Sequence, residues 1–190
     1  MGQCRMPSDG ADSRARQGLG RSSDRPFFIM IPEFLSHLKT HQGLPVPFMQ
    51  AVFDGMPDFR VVDPKKVIQC AEEKVCAICG QRLGEKCYFI CGERSKASHL
   101  FTDPPMHNEC AVFAAETCPF LGGRKLEYSD RPMRNAAKVH EMVSTVRPAQ
   151  MFILTAYTKK TRLVMHGDSV SIQAENWIGE RIVDLQMDRQ

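Results

Sequence analysis

Four side chains in this sequence have the types and the spacing to hold a metal ion: Cys76, Cys79, His107 and Cys110. In Cys76-Ala77-Ile78-Cys79-Gly80 two thiols stand two residues apart, so one tight turn can aim both at a single cation. The glycine that follows admits the positive φ such turns need. In His107-Asn108-Glu109-Cys110 the imidazole and the thiol are three apart, which places them on one side of a helix. Three sulfurs and one imidazole are a donor set for tetrahedral zinc with every position filled. A closed shell leaves no place for substrate or activated water. The expected cofactor is therefore one structural Zn2+, and no catalytic residue is assigned.

The other cysteines are weighed against that set. Cys118 stands eight residues beyond Cys110, about 12 Å along a helix, too far for both to reach one ion with bonds near 2.3 Å. It reads as a buried core thiol. Cys87 and Cys91 are reserve ligands that could replace one of the four, whereas Cys70 and Cys4 carry no assignment. The competing structural reading makes all of these reduced thiols in a core, with His107 a side chain near a helix cap.

The elements that must position the four follow from local signals. Asp63 as N-cap and Pro64 in the first turn open a helix running to about Glu73, which delivers the chain to Cys76. Asp103 as cap and Pro104 in the first turn open a second helix through His107 and Cys110, and Cys118-Pro119 ends it. Cys87-Tyr88-Phe89-Ile90-Cys91 between them reads as a hairpin strand. Knuckle, hairpin and helix over 74–121 are the layout of a treble-clef-like zinc module.

Around this module the expected class is α+β, with a few additional strands. Residues 31–42 carry an amphipathic helix pattern through Phe34, Leu35 and Leu38, stopped by Gly43. Residues 44–63 contain prolines at 45, 47 and 57 and read as extended and irregular, with a strand at Phe59–Val62. GGRKLEYSDRP is a loop, and 133–145 a short helix around Met133, Ala137 and Met142. MFILTAY at 151–157 is the strongest strand signal. Lys159, Lys160 and Arg162 turn the chain into a second strand near Leu163–Met165, and the last twenty residues read as strand then helix.

Residues 1–29 read as a disordered tail of Gly, Ser, Arg and Asp with little to bury, and 30–190 as one zinc-stabilised domain, with Met30 the expected biological start. At 43% hydrophobic residues the chain can build a core, and a net charge of +3 permits an anionic partner without demanding one. No apolar run approaches the roughly 20 residues of a membrane span, and the N-terminus lacks the apolar stretch of a signal peptide. The expected location is cytoplasmic, where 8 cysteines are better explained by metal than by disulfides.

The segments GLPVPF, DGMPDFRVVD, CAICGQRLG and PPMHNECAVFAAETCPFL resemble an uncharacterised family of small bacterial and phage-associated proteins. The resemblance covers roughly 30–121, and more loosely the later strand and Trp177. It implies a zinc-binding protein and supplies no activity or substrate. Cys91-Gly92-Glu93-Arg94 departs from a Gly-Pro-containing segment in the family.

The function expected is a non-enzymatic zinc scaffold that binds a partner, nucleic acid or protein. Arg124, Lys125, Arg131, Arg134 and Lys138, with Lys159, Lys160 and Arg162, are the candidate phosphate contacts, set against their reading as solvated surface. The alternative is an HNH-like metal-dependent nuclease, for which His99 is the one histidine between knuckle and helix and so the candidate general base. Phosphate-cradling glycine loops, Gly-x-Ser-x-Gly and His-Glu-x-x-His are absent. Asp54, Asp58, Arg60 and Asp63 form a polar cluster best read as turn and cap residues. His37 and His41 share a helix face, His140 and His166 are isolated, and Trp177 reads as a core anchor.

Overall fold

Prolines, paired positive-φ residues and one long apolar strand divide the chain into its elements. The structure, a computed structural model, describes residues 30–124, 147–167 and 169–183. The expected tail at 1–29, most of the GGRKLEYSDRP loop, the helix at 133–145 and Cys4 lie outside the described residues.

The N-terminal part consists of two small hairpins. A single 3-10 turn at Glu33–Leu35 is followed by β1 (Thr40–His41) and β2 (Leu44–Pro45), and these by β3 (Gln50–Phe53) and β4 (Met56–Val62). The helix expected over 31–42 does not form. Gln42 and Gly43 take φ of 52° and 78°, the paired positive values of a two-residue hairpin turn, so the chain reverses. Asp54 and Gly55, at 51° and 78°, do the same between β3 and β4. The stretch expected to be irregular is thus paired, and the expected strand at Phe59–Val62 is the second half of β4. The buried Gln50 amide donates to the Asp58 and Val61 carbonyls across this hairpin.

α1 (Pro64–Glu73) begins as expected: the Asp63 carboxylate accepts from the Lys65 amide at 2.9 Å, and Pro64 occupies the first turn. α1 buries Val67, Cys70 and Ala71. β5 (Lys86–Gly92), α2 (Glu93–Ser98), β6 (Leu100–Phe101) and α3 (Asn108–Thr117) follow. Beyond them come β7 (Met151–Tyr157), β8 (Thr161–His166), β9 (Ser169–Ala174) and β10 (Trp177–Ile182). Where strand then helix was expected over the last twenty residues, β10 extends antiparallel along β7, and 184–190 lie outside the described residues.

Two three-stranded antiparallel sheets organise the core, in the orders β10-β7-β5 and β6-β9-β8. β7 lies in the middle of the first, which accounts for its unbroken apolar sequence: Met151, Phe152, Ile153, Leu154 and Ala156 are all buried. β5 pairs with β7 along its whole length, from Lys86 opposite Tyr157 to Gly92 opposite Met151. The hairpin expected near Cys87–Cys91 is therefore a strand whose main partner lies far along the chain. Its local pairing is a single bridge between Tyr88 and Met106. Phe89 stacks on Phe101 with ring centroids 4.1 Å apart, joining the sheets through the core. The fold is a small mixed α+β domain with few helices and several strands.

Candidate metal centre

The knuckle is built from backbone hydrogen bonds before any ligand is considered. Cys76 N–H donates to the Gln81 carbonyl at 2.8 Å, and Gly80 N–H to the Cys76 carbonyl at 2.9 Å. Val75 and Arg82 form a β-bridge on either side of the turn. Gly80 takes φ +72°, as its place after Cys79 requires. Cys76 and Cys79 are consequently on the inner side of one turn, 0% and 5% exposed.

The other two candidates come from the start of α3, by a route the sequence reading did not give. Asp103 does not cap this helix and Pro104 does not begin it. The helical region is disfavoured for a residue before proline, and Pro104 itself precedes Pro105, so 103 and 104 are biased to extended backbone. The extended stretch is used: Ala77 N–H donates to the Pro105 carbonyl at 3.0 Å, and Met106 and Tyr88 exchange hydrogen bonds of 2.9 Å each way. His107 is then the N-cap, at φ −68° and ψ 160°, and α3 starts at Asn108. Cys110 falls in the first turn, buried, and still reaches the same point as His107. Arg181 holds this end in place by donating to the Asn108 side-chain oxygen at 2.6 Å.

Cys76, Cys79, His107 and Cys110 bring one donor atom each to within 4.8 Å of all the others, and among the described residues no other such group of three or more occurs. Cys79 Sγ and His107 Nδ1 are 3.3 Å apart. A tetrahedron with bonds of about 2.3 Å has edges of about 3.8 Å, so the observed spread brackets the size a zinc-like ion requires. The group can hold a metal ion. His107 Nε2 lies 3.1 Å from the Arg82 carbonyl. A carbonyl only accepts, so Nε2 carries the proton and Nδ1 presents its lone pair to the cluster.

Backbone amides make the site suited to anionic sulfur. The amides of His107 (3.4 Å) and Cys79 donate to Cys76 Sγ, and that of Gln81 to Cys79 Sγ. Cys110 sits at the positive end of α3. Hydrogen bonds from the Cys110 and Cys76 thiols hold Cys79 well below the usual thiol range. Cys110 is raised by donating to both sulfurs and by burial. At Cys76 the bond from Cys110 pulls downward, but the Cys79 bond and burial outweigh it, with a net rise.

The remaining cysteines stand apart from this group. Cys87 and Cys91 are buried on β5, and burial pushes their thiols up to about 11 and about 12. Cys70 is likewise pushed to about 12 by burial on α1. Cys118 is the C-cap of α3, outside the group as expected, but half-buried rather than in the core. Pro119 forces it into an extended conformation at ψ 118°, which ends the helix.

His99 is the C-cap of α2 at φ 61°, not a strand residue. Its Nδ1 lies 3.3 and 3.1 Å from the carbonyls of Ala174 and Glu175, and its ring lies tilted against Trp177 with centroids 4.1 Å apart. Trp177 is half-buried, packed against the core on one side and His99 on the other. Of the expected basic contacts, Lys160 pairs with Glu175 at 2.8 Å, Arg162 donates to Gln173 and Arg124 to the Thr117 carbonyl. Lys159 is exposed, and Lys125, Arg131, Arg134, Lys138 and His140 lie outside the described residues. Asp58 pairs with Arg60 at 2.8 Å, Asp63 caps α1 and Asp54 sits in a hairpin turn. His37 and His41 do not share a helix face. His41 lies against Phe59, and His37 Nε2 is 2.9 Å from the Cys79 carbonyl. That last contact, on the backbone of a candidate ligand, is the site feature that sequence spacing could not reveal.

The chain matches no family model, no curated protein and no solved structure. Among the described residues no helix is long and apolar enough to cross a membrane.

Proposed function

We propose that Cys76, Cys79, His107 and Cys110 hold one zinc ion, and that this zinc braces a non-enzymatic module which binds a partner. The observation that carries the reading is the convergence of three cysteine sulfurs and one imidazole nitrogen, all within 4.8 Å of one another. Four protein donors complete the coordination shell, which is the pattern of structural rather than catalytic zinc. The oriented His107 ring and the amides on Cys76 and Cys79 support the same reading, since such outer contacts fix ligand geometry.

We also read residues 74–121 as a treble-clef-like unit, supported by the knuckle bridge Val75–Arg82, strand β5 and α3 with its two ligands. The pairing of CAICG with PPMHNECA and CPFL supports kinship with the small bacterial and phage-associated zinc proteins. A cytoplasmic location fits seven described cysteines that are free of disulfides. The partner is nucleic acid or protein. The engagement of Lys160 and Arg162 with neighbouring side chains leaves fewer unengaged cations for phosphate than their number suggests.

Elemental analysis of purified protein tests the central claim. One zinc per chain is expected, and the absence of stoichiometric metal removes the proposal.

A further inference from the structure

The turn that carries Cys76 and Cys79 has a second set of partners. Its three consecutive carbonyls all accept from the N-terminal segment. Met49 N–H donates to Ala77 at 2.9 Å, Phe48 N–H to Ile78 at 2.8 Å, and His37 Nε2–H to Cys79 at 2.9 Å. The Phe48 ring lies against Gly80, where a Cβ would come within 2.9 Å of it. Leu35, 0% exposed, anchors the same segment in the core. None of these contacts is required to gather the four donors, which all come from 76–110.

We propose that residues 30–63 are a clamp on the metal-binding turn, so that docking of this segment and zinc occupancy form one linked equilibrium, with His37 as a positioning residue. The inference rests on the zinc reading above. Zinc ties Cys76 Sγ to Cys79 Sγ and so restrains the turn between them. The turn is already held by its own backbone hydrogen bonds, so zinc stiffens a curvature that presents the Ala77, Ile78 and Cys79 carbonyls to the clamp. The clamp itself is two short hairpins, and isolated two-stranded hairpins are marginal in water, so its order depends on what it docks against. Linkage makes the effect reciprocal. Whatever zinc adds to docking, docking adds to zinc affinity.

His37 is exposed, so its substitution tests the link without emptying the core. Zinc affinity is measured by competition with a chelating dye for the full chain and for His37→Ala, His37→Gln and Lys39→Ala. Loss of one net hydrogen bond predicts affinity lower by about fivefold in His37→Ala. His37→Gln, which keeps a donor, should recover most of it, and Lys39→Ala should match the parent. Hydrogen exchange supplies the second arm. Removing zinc should speed exchange of the Phe48 and Met49 amides by at least about tenfold more than that of the β7 amides. Unchanged affinity in His37→Ala overturns the clamp, as does equal protection of Phe48 and Met49 with and without zinc. Uniform loss of protection across β7 also overturns it, because zinc would then support the whole fold and not this docking. A chain that binds no zinc overturns the metal reading instead, so the two failures are told apart by stoichiometry.

Discussion

His107 Nε2 is held 3.1 Å from the carbonyl of Arg82, while Nδ1 of the same ring lies 3.3 Å from Cys79 Sγ. The turn that supplies two sulfurs therefore also sets the tautomer of the imidazole that joins them. In His107→Ala both the ligand and this tether are lost. Zinc affinity should fall by more than the roughly 10–100-fold typical of losing an outer-shell partner. His107→Cys keeps four donors and should retain one zinc per chain, with weaker binding because the Arg82 carbonyl loses its donor. Chelator competition measures both.

Cys110 and Cys118 lie at opposite ends of α3 and should behave oppositely. Cys110→Ala should lose zinc and the order of the turn and segment docked beside it, seen as lost chelator-competed binding and a lower thermal midpoint, while a cooperative transition through the β7 sheet is retained. Cys118→Ala removes a half-buried thiol outside the group and should keep its zinc, with stability within about 1 kcal/mol of the parent.

Gly80 and Gly84 offer a matched pair within the same loop. Gly80 has φ +72° and its Cβ would press on the Phe48 ring, whereas Gly84 has no atom within 4 Å of a Cβ. Gly80→Ala should cost about 1–3 kcal/mol from the left-handed conformation and the contact together. Gly84→Ala should be neutral or slightly stabilising. Urea denaturation distinguishes them.

Cys70, Cys87 and Cys91 are three buried thiols with raised pKa values of about 12, 11 and 12 against an ordinary value of 9.0. They should resist iodoacetamide at pH 8 in the folded protein and react once it is unfolded. The linkage has a definite sign. Below about pH 9 both folded and unfolded chains keep these protons, so the three groups add no pH dependence there. Between about 9 and 12 the unfolded chain releases them while the folded chain does not. The unfolded state then binds fewer protons, and stability must fall as pH rises. A urea midpoint that held level from pH 9 to 11 would contradict this.

The grouping of Cys76, Cys79, His107 and Cys110 was legible because its spacing is local: two residues fix the knuckle, and three fix the His107–Cys110 pair. The cap of α1 was legible for the same reason, as Asp63-Pro64 acts within one turn. The start of α3 was misread because Pro104 looks like a first-turn proline until Pro105 behind it is taken into account. The hairpins at Gln42-Gly43 and Asp54-Gly55 were announced by those dipeptides, but the prolines around them and the apolar spacing of Phe34, Leu35 and Leu38 pointed elsewhere. The partner of β5 and the contact of His37 with Cys79 depend on residues 42 or more positions away, and no local pattern encodes them.

All four candidate ligands fall within 76–110, a span that invites excision as a freestanding finger. β5 forbids it. That strand runs through the middle of the span, yet its ladder partner is β7 at 151–157. A peptide cut to the ligands would leave β5 with a bare, unpaired edge lined by Phe89 and Ile90, a template for self-association. The strand between the two pairs of candidate ligands thus depends on a partner that lies outside their span.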